Sequence, residues 1–130
     1  MKATYYGHGC FSINIGDSII LIDPFISPNE LAKTVEVDAI KADYILLTHG
    51  HEDHVYDTES IAKRTGAEVI ANFELINWFQ KKGVENGFAM NIGGIKRTPD
   101  FAIKMVSAVH SSSMPDGSYG GLAAGFVLVY

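Results

Sequence analysis

Residues 48–55, Thr-His-Gly-His-Glu-Asp-His-Val, place three histidines and two carboxylates within the six positions His49–His54 of a chain that holds five histidines in all. The spacing limits what backbone can carry them. On a helix, residues two apart lie about 200° apart around the axis, so His49 and His51 would face opposite ways. On an extended segment they share a side, roughly 7 Å apart along the chain. A loop that bends just after a strand ending at Leu47-Thr48 brings both imidazoles onto one ion, with Gly50 removing side-chain bulk between them. Asp53 and His54, being adjacent, point elsewhere and suit a second ion. A solvated turn whose Glu52, Asp53 and Asp57 favour a helix N-terminus would explain the acids but not three histidines. The expected reading is a loop-borne metal site with two halves.

The flanking sequence places this loop in an α/β (α+β) fold. Ala3–Tyr6, Cys10–Ile15 and Ser18–Ile22 read as strands separated by the turn sequences Gly7-His8-Gly9 and Gly16-Asp17, the last pair forming a hairpin. Asp23-Pro24 stops the third strand. Residues 27–42 read as a loop with a short helical piece, and Tyr44–Thr48 as a strand buried on both faces. A helix capped by Asp57 or Thr58 runs through Arg64 and stops at Gly66. Glu68–Ala71 is a strand, and Asn72 caps a second helix through Lys82, with Phe73, Ile76 and Phe79 or Gln80 at helical spacing. Phe73, Trp78 and Phe79 are expected to serve as core or sheet cover. Gly93-Gly94 reads as a turn, Phe101–Val109 as an alternating strand ending at His110, and Ala124–Tyr130 as a last apolar strand. Because that strand ends the sequence bare and apolar, residues 1–130 are expected to be one partial domain.

Composition excludes several classes. With 47% hydrophobic and 19% charged residues the chain is neither disordered nor fibrous. Its apolar runs are strand-sized and too short to span a bilayer. Its net charge of −5 and scattered basic residues weigh against nucleic acid as a partner. Cys10 is the only cysteine, so an intrachain disulfide is impossible and a cytoplasmic location is expected.

Here the motifs become specific. His49-Gly50-His51-Glu52-Asp53-His54 resembles the His-x-His-x-Asp-His signature of the metallo-β-lactamase superfamily. Gly7-His8-Gly9-Cys10-Phe11, Leu21-Ile22-Asp23-Pro24-Phe25, and His110-Ser111-Ser112-Ser113 with Asp116-Gly117 resemble its branch of small metal-dependent hydrolases related to the ascorbate-phosphate lactonase. Together these stretches cover essentially the whole chain in order. The resemblance implies the first half of an αββα sandwich, with metals at one edge between the sheets. It implies that His49, His51 and His110 bind a first ion, and that Asp53 and His54 bind a second and help hold the nucleophilic water. It also implies a bridging Asp in a Gly-Asp motif soon after the last strand, and a later His, neither of which these residues contain.

Other candidates are weighed beside these. His110 alone would be a strand-end histidine bonded to its loop; next to a two-histidine half-site it is expected to be the third ligand. A serine nucleophile among Ser111-Ser112-Ser113 lacks a Gly-x-Ser-x-Gly elbow. Asp23 either orients a ligand histidine through its other ring nitrogen or caps the turn before Pro24. His8 approaches the pocket or lies on the surface. The expected function is hydrolysis of an ester, lactone or phosphoester, small-molecule in scale, by water activated at two divalent ions. Zinc leads, with manganese or iron admitted by the Asp-containing half, and Asp53 orients the nucleophile or moves its proton. The competing expectation is a non-catalytic metal-binding half-domain that self-associates through its open strand.

Overall fold

The computed structural model describes Met1–Tyr130. β1 (Lys2–Gly7), β2 (Cys10–Ile15) and β3 (Ser18–Ile22) form an antiparallel meander, and the register Ile15↔Ser18 closes the expected hairpin at Gly16-Asp17. Two short 3-10 turns, Glu30–Ala32 and Val37–Ala39, carry the chain to β4 (Tyr44–Leu46). Then come α1 (Glu52–Val55), α2 (Thr58–Thr65), β5 (Glu68–Asn72), α3 (Phe73–Lys81) and β6 (Gly87–Met90). β7 (Ile95–Arg97), β8 (Ala102–Ser107) and β9 (Ala124–Val129) complete the sequence.

The strands fall into two sheets. One has the order β1-β2-β3-β4-β5-β6 and the other β7-β8-β9. In the larger sheet β3, β4, β5 and β6 run parallel, so each crossover must return over one face. Side-chain alternation then sorts the core into two layers. Leu21, Ile45, Leu47, Val69 and Ala71 pack with Ile61 and Ala62 of α2 and with Leu75, Ile76 and Phe79 of α3. The neighbouring Ile20, Leu46 and Ile70 point the other way, against Phe101, Ile103, Met105 and Ala124 on the side of the smaller sheet. The result is helices on sheet on sheet. β4 is therefore covered on both sides, as its unbroken apolar run requires.

Several local expectations need correction. The strand that follows α3 in the parallel sheet is β6, which the sequence reading did not mark, and the alternating segment after Phe101 begins the second sheet's central strand at Ala102. β8 ends at Ser107, so His110 sits in the following bend. α2 stops at a left-handed Gly66 as expected, but the Asp57 side chain does not cap it. Its carboxylate instead accepts hydrogen bonds from Ile26 N and Ser27 N, at 2.6 and 2.9 Å, and from the Ser27 hydroxyl. Asn72 does cap α3, accepting from Leu75 N at 2.9 Å. Phe73 is largely exposed, whereas Phe79 is buried.

Candidate metal centre

Parallel strands bring functional loops to their carboxyl ends, and here four segments meet at one such edge. Asp23 leaves β3, and its backbone N–H donates to Leu46 O of β4 at 3.0 Å, which sets Asp23 beside the Thr48–His54 segment. β2 runs antiparallel to β3 with Phe11 opposite Ile22, so the β1–β2 turn with His8 folds to the same edge. Ala124 N donates to Thr48 O at 2.9 Å, which anchors the loop between β8 and β9, and with it His110, against the histidine segment. Ser112 tightens the junction: its hydroxyl accepts from Gly50 N at 3.1 Å and donates to Gly120 O at 2.8 Å.

The three histidines assigned to one ion converge. Ligand atoms of His49, His51 and His110 lie within 4.8 Å of one another. His49 Nε2 is 3.1 Å from His51 Nδ1, and the His110 ring stands edge-on to His49 with centroids 4.6 Å apart. Imidazole nitrogens about 2.0–2.1 Å from a common ion would lie roughly 3–3.5 Å apart, a spacing that His49 and His51 already have, with His110 in reach of both. Its chemistry is also right. Burial holds the His49 ring well below the usual histidine range, at about 4, and the neighbouring His54, His51 and His110 add to this against the opposing pull of Asp23. The ring is thus neutral at pH 7, the form that offers a lone pair.

The second half is closer to the first than adjacency suggested. Glu52–Val55 forms one helical turn with His51 at its N-cap, and the His54 ring comes back to 4.1 Å from that of His49. Gly9 permits this approach, since a Cβ there would stand 2.9 Å from His54 Cε1. Ligand atoms of His8, Asp53 and His54 form a second group within 4.8 Å, with His8 Nε2 2.9 Å from Asp53 Oδ2. His8 is therefore part of the cluster and not an isolated surface residue.

Asp23 lies beneath both groups and is only 3% exposed. Its Oδ1 accepts from Thr48 N at 2.8 Å; its Oδ2 accepts from the Thr48 hydroxyl at 2.6 Å and from His54 Nδ1 at 2.8 Å. Each oxygen thus already accepts a hydrogen bond, and a carboxylate oxygen of Asp23 also lies within 4.8 Å of ligand atoms of His49 and His54. Burial draws the His54 ring down, but the hydrogen bond and charge of Asp23, aided by Asp53, outweigh it and leave the ring raised. Asp23 and His8 are the two non-glycine residues with left-handed backbone, at φ 45° and 55°, and both face the second group. Sequence reasoning overlooked Thr48, whose hydroxyl lies 2.8 Å from His49 Nδ1. The visible signal was a hydroxyl immediately before the first ligand histidine.

The geometry agrees with comparisons to known proteins. A sequence profile of the Metallo-beta-lactamase superfamily matches residues 7–121. The chain belongs to that superfamily. It is 50% identical over 129 residues to a protein named UPF0173 metal-dependent hydrolase from Methylacidiphilum infernorum, covering 98% of this chain and 57% of that protein. A relative of the same name from Thermoplasma volcanium is 44% identical over 128 residues, covering 98% of this chain and 56% of its own length. The chain thus spans little more than half the length of these curated relatives. Among solved structures, the metallo hydrolase Igni18 from Ignicoccus hospitalis superposes with a TM-score of 0.77 at 31% identity, over 97% of this chain and 54% of Igni18. The superfamily's αββα sandwich accounts for the helix-sheet-sheet order seen here.

Proposed function

We propose that this metallo-beta-lactamase superfamily chain carries the metal-binding core of a hydrolase acting on a small ester, lactone or phosphoester. The observation that supports this most directly is the convergence of His49, His51 and His110 beside a second group, His8, Asp53 and His54. The relatives' shared description as metal-dependent hydrolases agrees with it.

In this reading His49, His51 and His110 hold a first divalent ion, and Asp53 and His54 contribute to a second. Such ions supply Lewis acidity, acidifying water and polarising a carbonyl or phosphoryl group. The protein's own residues do the rest. Asp53, half-exposed at the start of α1, faces the open side of the cluster, where it can orient water or take up its proton. His8 braces the Asp53 carboxylate. Zinc suits the three imidazoles; the carboxylate in the second group also admits manganese or iron. Cys10 is buried, and burial pushes its thiol up to about 11. It therefore stays protonated at neutral pH.

The test is metal analysis of the protein as its gene encodes it, followed by assays against aryl esters, lactones and phosphodiesters with and without a chelator. Stoichiometric transition metal and chelator-sensitive hydrolysis are expected. Absence of stoichiometric transition metal would sink the proposal. A second reading, self-association of a non-catalytic unit, draws on β9. It is an edge strand with Val127 and Val129 exposed. Size-exclusion chromatography giving a dimer without turnover would favour it, and a catalytically active monomer would discard it.

A further inference from the structure

We propose that Asn72 is a positioning residue of the metal centre: one end of its side chain caps α3, and the other pins the loop that delivers His110. For its effect on metal affinity the inference rests on the metal-site reading above; the docking of the loop does not.

His110 lies in the connection between β8 and β9, which joins two strands of the smaller sheet. That connection folds into a small hairpin of its own. Gly120 N donates to Ser112 O at 3.1 Å, Met114 N donates to Ser118 O at 2.8 Å, and Ser113 pairs with Tyr119. These bonds shape the loop without fixing where it sits against the larger sheet. Asn72, at the end of β5, supplies a tie from outside the histidine segment. Its Nδ2 donates to Gly120 O at 2.8 Å and to Leu122 O at 3.1 Å, while its Oδ1 accepts from Leu75 N at 2.9 Å.

The amide is used to its capacity for donors. Asparagine carries two N–H donors and one carbonyl acceptor, and here both donors go to the loop and the acceptor to the helix. Capping alone does not call for this residue, since Asp and Ser serve an N-cap about as well as Asn. What they lack is the pair of donors. The contact then runs on toward the histidines. Gly120 O also accepts from the Ser112 hydroxyl at 2.8 Å, and that hydroxyl accepts from Gly50 N, between His49 and His51. Gly121 shows how closely the loop is seated. It has left-handed backbone at φ 75°, and a Cβ there would collide with the Asn72 amide and stand 2.6 Å from Glu74 Oε2. Two hydrogen bonds of ordinary net strength favour the docked loop by roughly 10–100-fold.

The two duties can be separated. Asn72→Asp keeps an acceptor for Leu75 N but turns a carboxylate oxygen toward two carbonyl oxygens. Asn72→Ser keeps a capping oxygen without adding charge and removes the amide. Gly121→Ala disturbs the same contact from the loop side and leaves the capping residue in place.

NMR of the metal-free protein as its gene encodes it, followed by zinc titration, tests this. The parent should show a nuclear Overhauser contact between the His49 and His110 rings, whose centroids are 4.6 Å apart. All three variants should keep amide protection across α3 and lose that ring contact. Exchange of the Gly50 amide, whose acceptor is on the loop, should rise by roughly 10–100-fold. Zinc binding at the three-histidine group should weaken by up to the same factor, with the second group unchanged, because His110 reaches the ion only from the docked loop. A retained ring contact with parental zinc affinity in Asn72→Asp and Asn72→Ser overturns the proposal. So does equal loss of protection in α3 and at Gly50, which would assign Asn72 to capping alone. Should the parent bind no zinc, the metal reading fails, while the ring contact and the Gly50 exchange still decide whether Asn72 positions His110.

Discussion

His8 Nε2 stands 2.9 Å from Asp53 Oδ2, so the first hairpin turn and the first turn of α1, far apart in sequence, close on each other at the rim of the centre. His8 holds left-handed backbone to do so, a conformation that costs of order 1–3 kcal/mol in a residue with a side chain. His8→Ala removes the brace on Asp53 and should weaken the second equivalent of metal by roughly 10–100-fold, with the first little changed. Calorimetric titration with zinc reads both equivalents; equal affinity in variant and parent would show that Asp53 needs no brace.

Gly50 lies where no side chain fits. A Cβ there would stand 2.6 Å from Met114 Sδ and 2.9 Å from the Ser113 carbonyl oxygen. Methionine can give way, but the carbonyl belongs to the loop that also carries His110. Gly50→Ala should push that loop off the histidine segment, costing about 1–3 kcal/mol and lowering affinity at the three-histidine group. Thermal denaturation with zinc titration tests it, and an unchanged affinity would refute the steric account.

The His49 ring sets an acid limb for the metal-free protein. Its value in the folded state, about 4, lies below the ordinary 6.5, chiefly through burial, so the unfolded chain binds the extra proton first. Its contribution is present above pH 6.5 and is lost as pH falls toward 4, at most about 3.5 kcal/mol at about 1.4 kcal/mol per unit. His54 works in the opposite sense. Its raised ring contributes stability below the unfolded value that is lost as pH rises through the folded one. Comparing denaturant stability from pH 7 to 4 in His49→Gln and parent isolates the first effect: the variant's limb should be flatter. Identical limbs would mean that His49 is not buried as described.

Ile70 is fully buried between the two sheets, among Leu46, Ile103 and Met105. Ile70→Ala should cost about 2–5 kcal/mol and leave ligand geometry intact, since its side chain packs in the apolar layer between the sheets. A stability loss under 1 kcal/mol by chemical denaturation would contradict the tight packing of the sheets.

Much of this was legible in the sequence where local chemistry decides. Gly16-Asp17 fixed the hairpin, Gly66 the end of α2 and Asn72 the start of α3, because turns and caps are short-range devices. His49, His51, Asp53 and His54 stood out through their spacing, and His110 joined the first pair through resemblance. What sequence missed depends on partners distant along the chain. β6 and β7 are three or four residues long and lack strong alternation; they exist because β5 and β8 lie beside them. Lys96 of β7, bonded to Glu68 at 3.1 Å and 3.8 Å from the centre of the Phe88 ring, joins the two sheets in a way no local pattern announces. The Asp57 carboxylate looked like a helix cap and is a clamp on residues 26–27. The role of His8 emerged only once β2 paired with β3 and carried the turn to the metal edge.

The origin of the three convergent histidines has a further consequence. His49 and His51 follow β4 of the larger sheet, whereas His110 follows β8 of the smaller one. An ion gripped by all three would rivet two separate slabs of the protein, and its binding energy would count toward holding them together. Metal capture then becomes a checkpoint on assembly: a molecule whose slabs have not docked has no complete grip, and the chemistry is withheld until the architecture is finished.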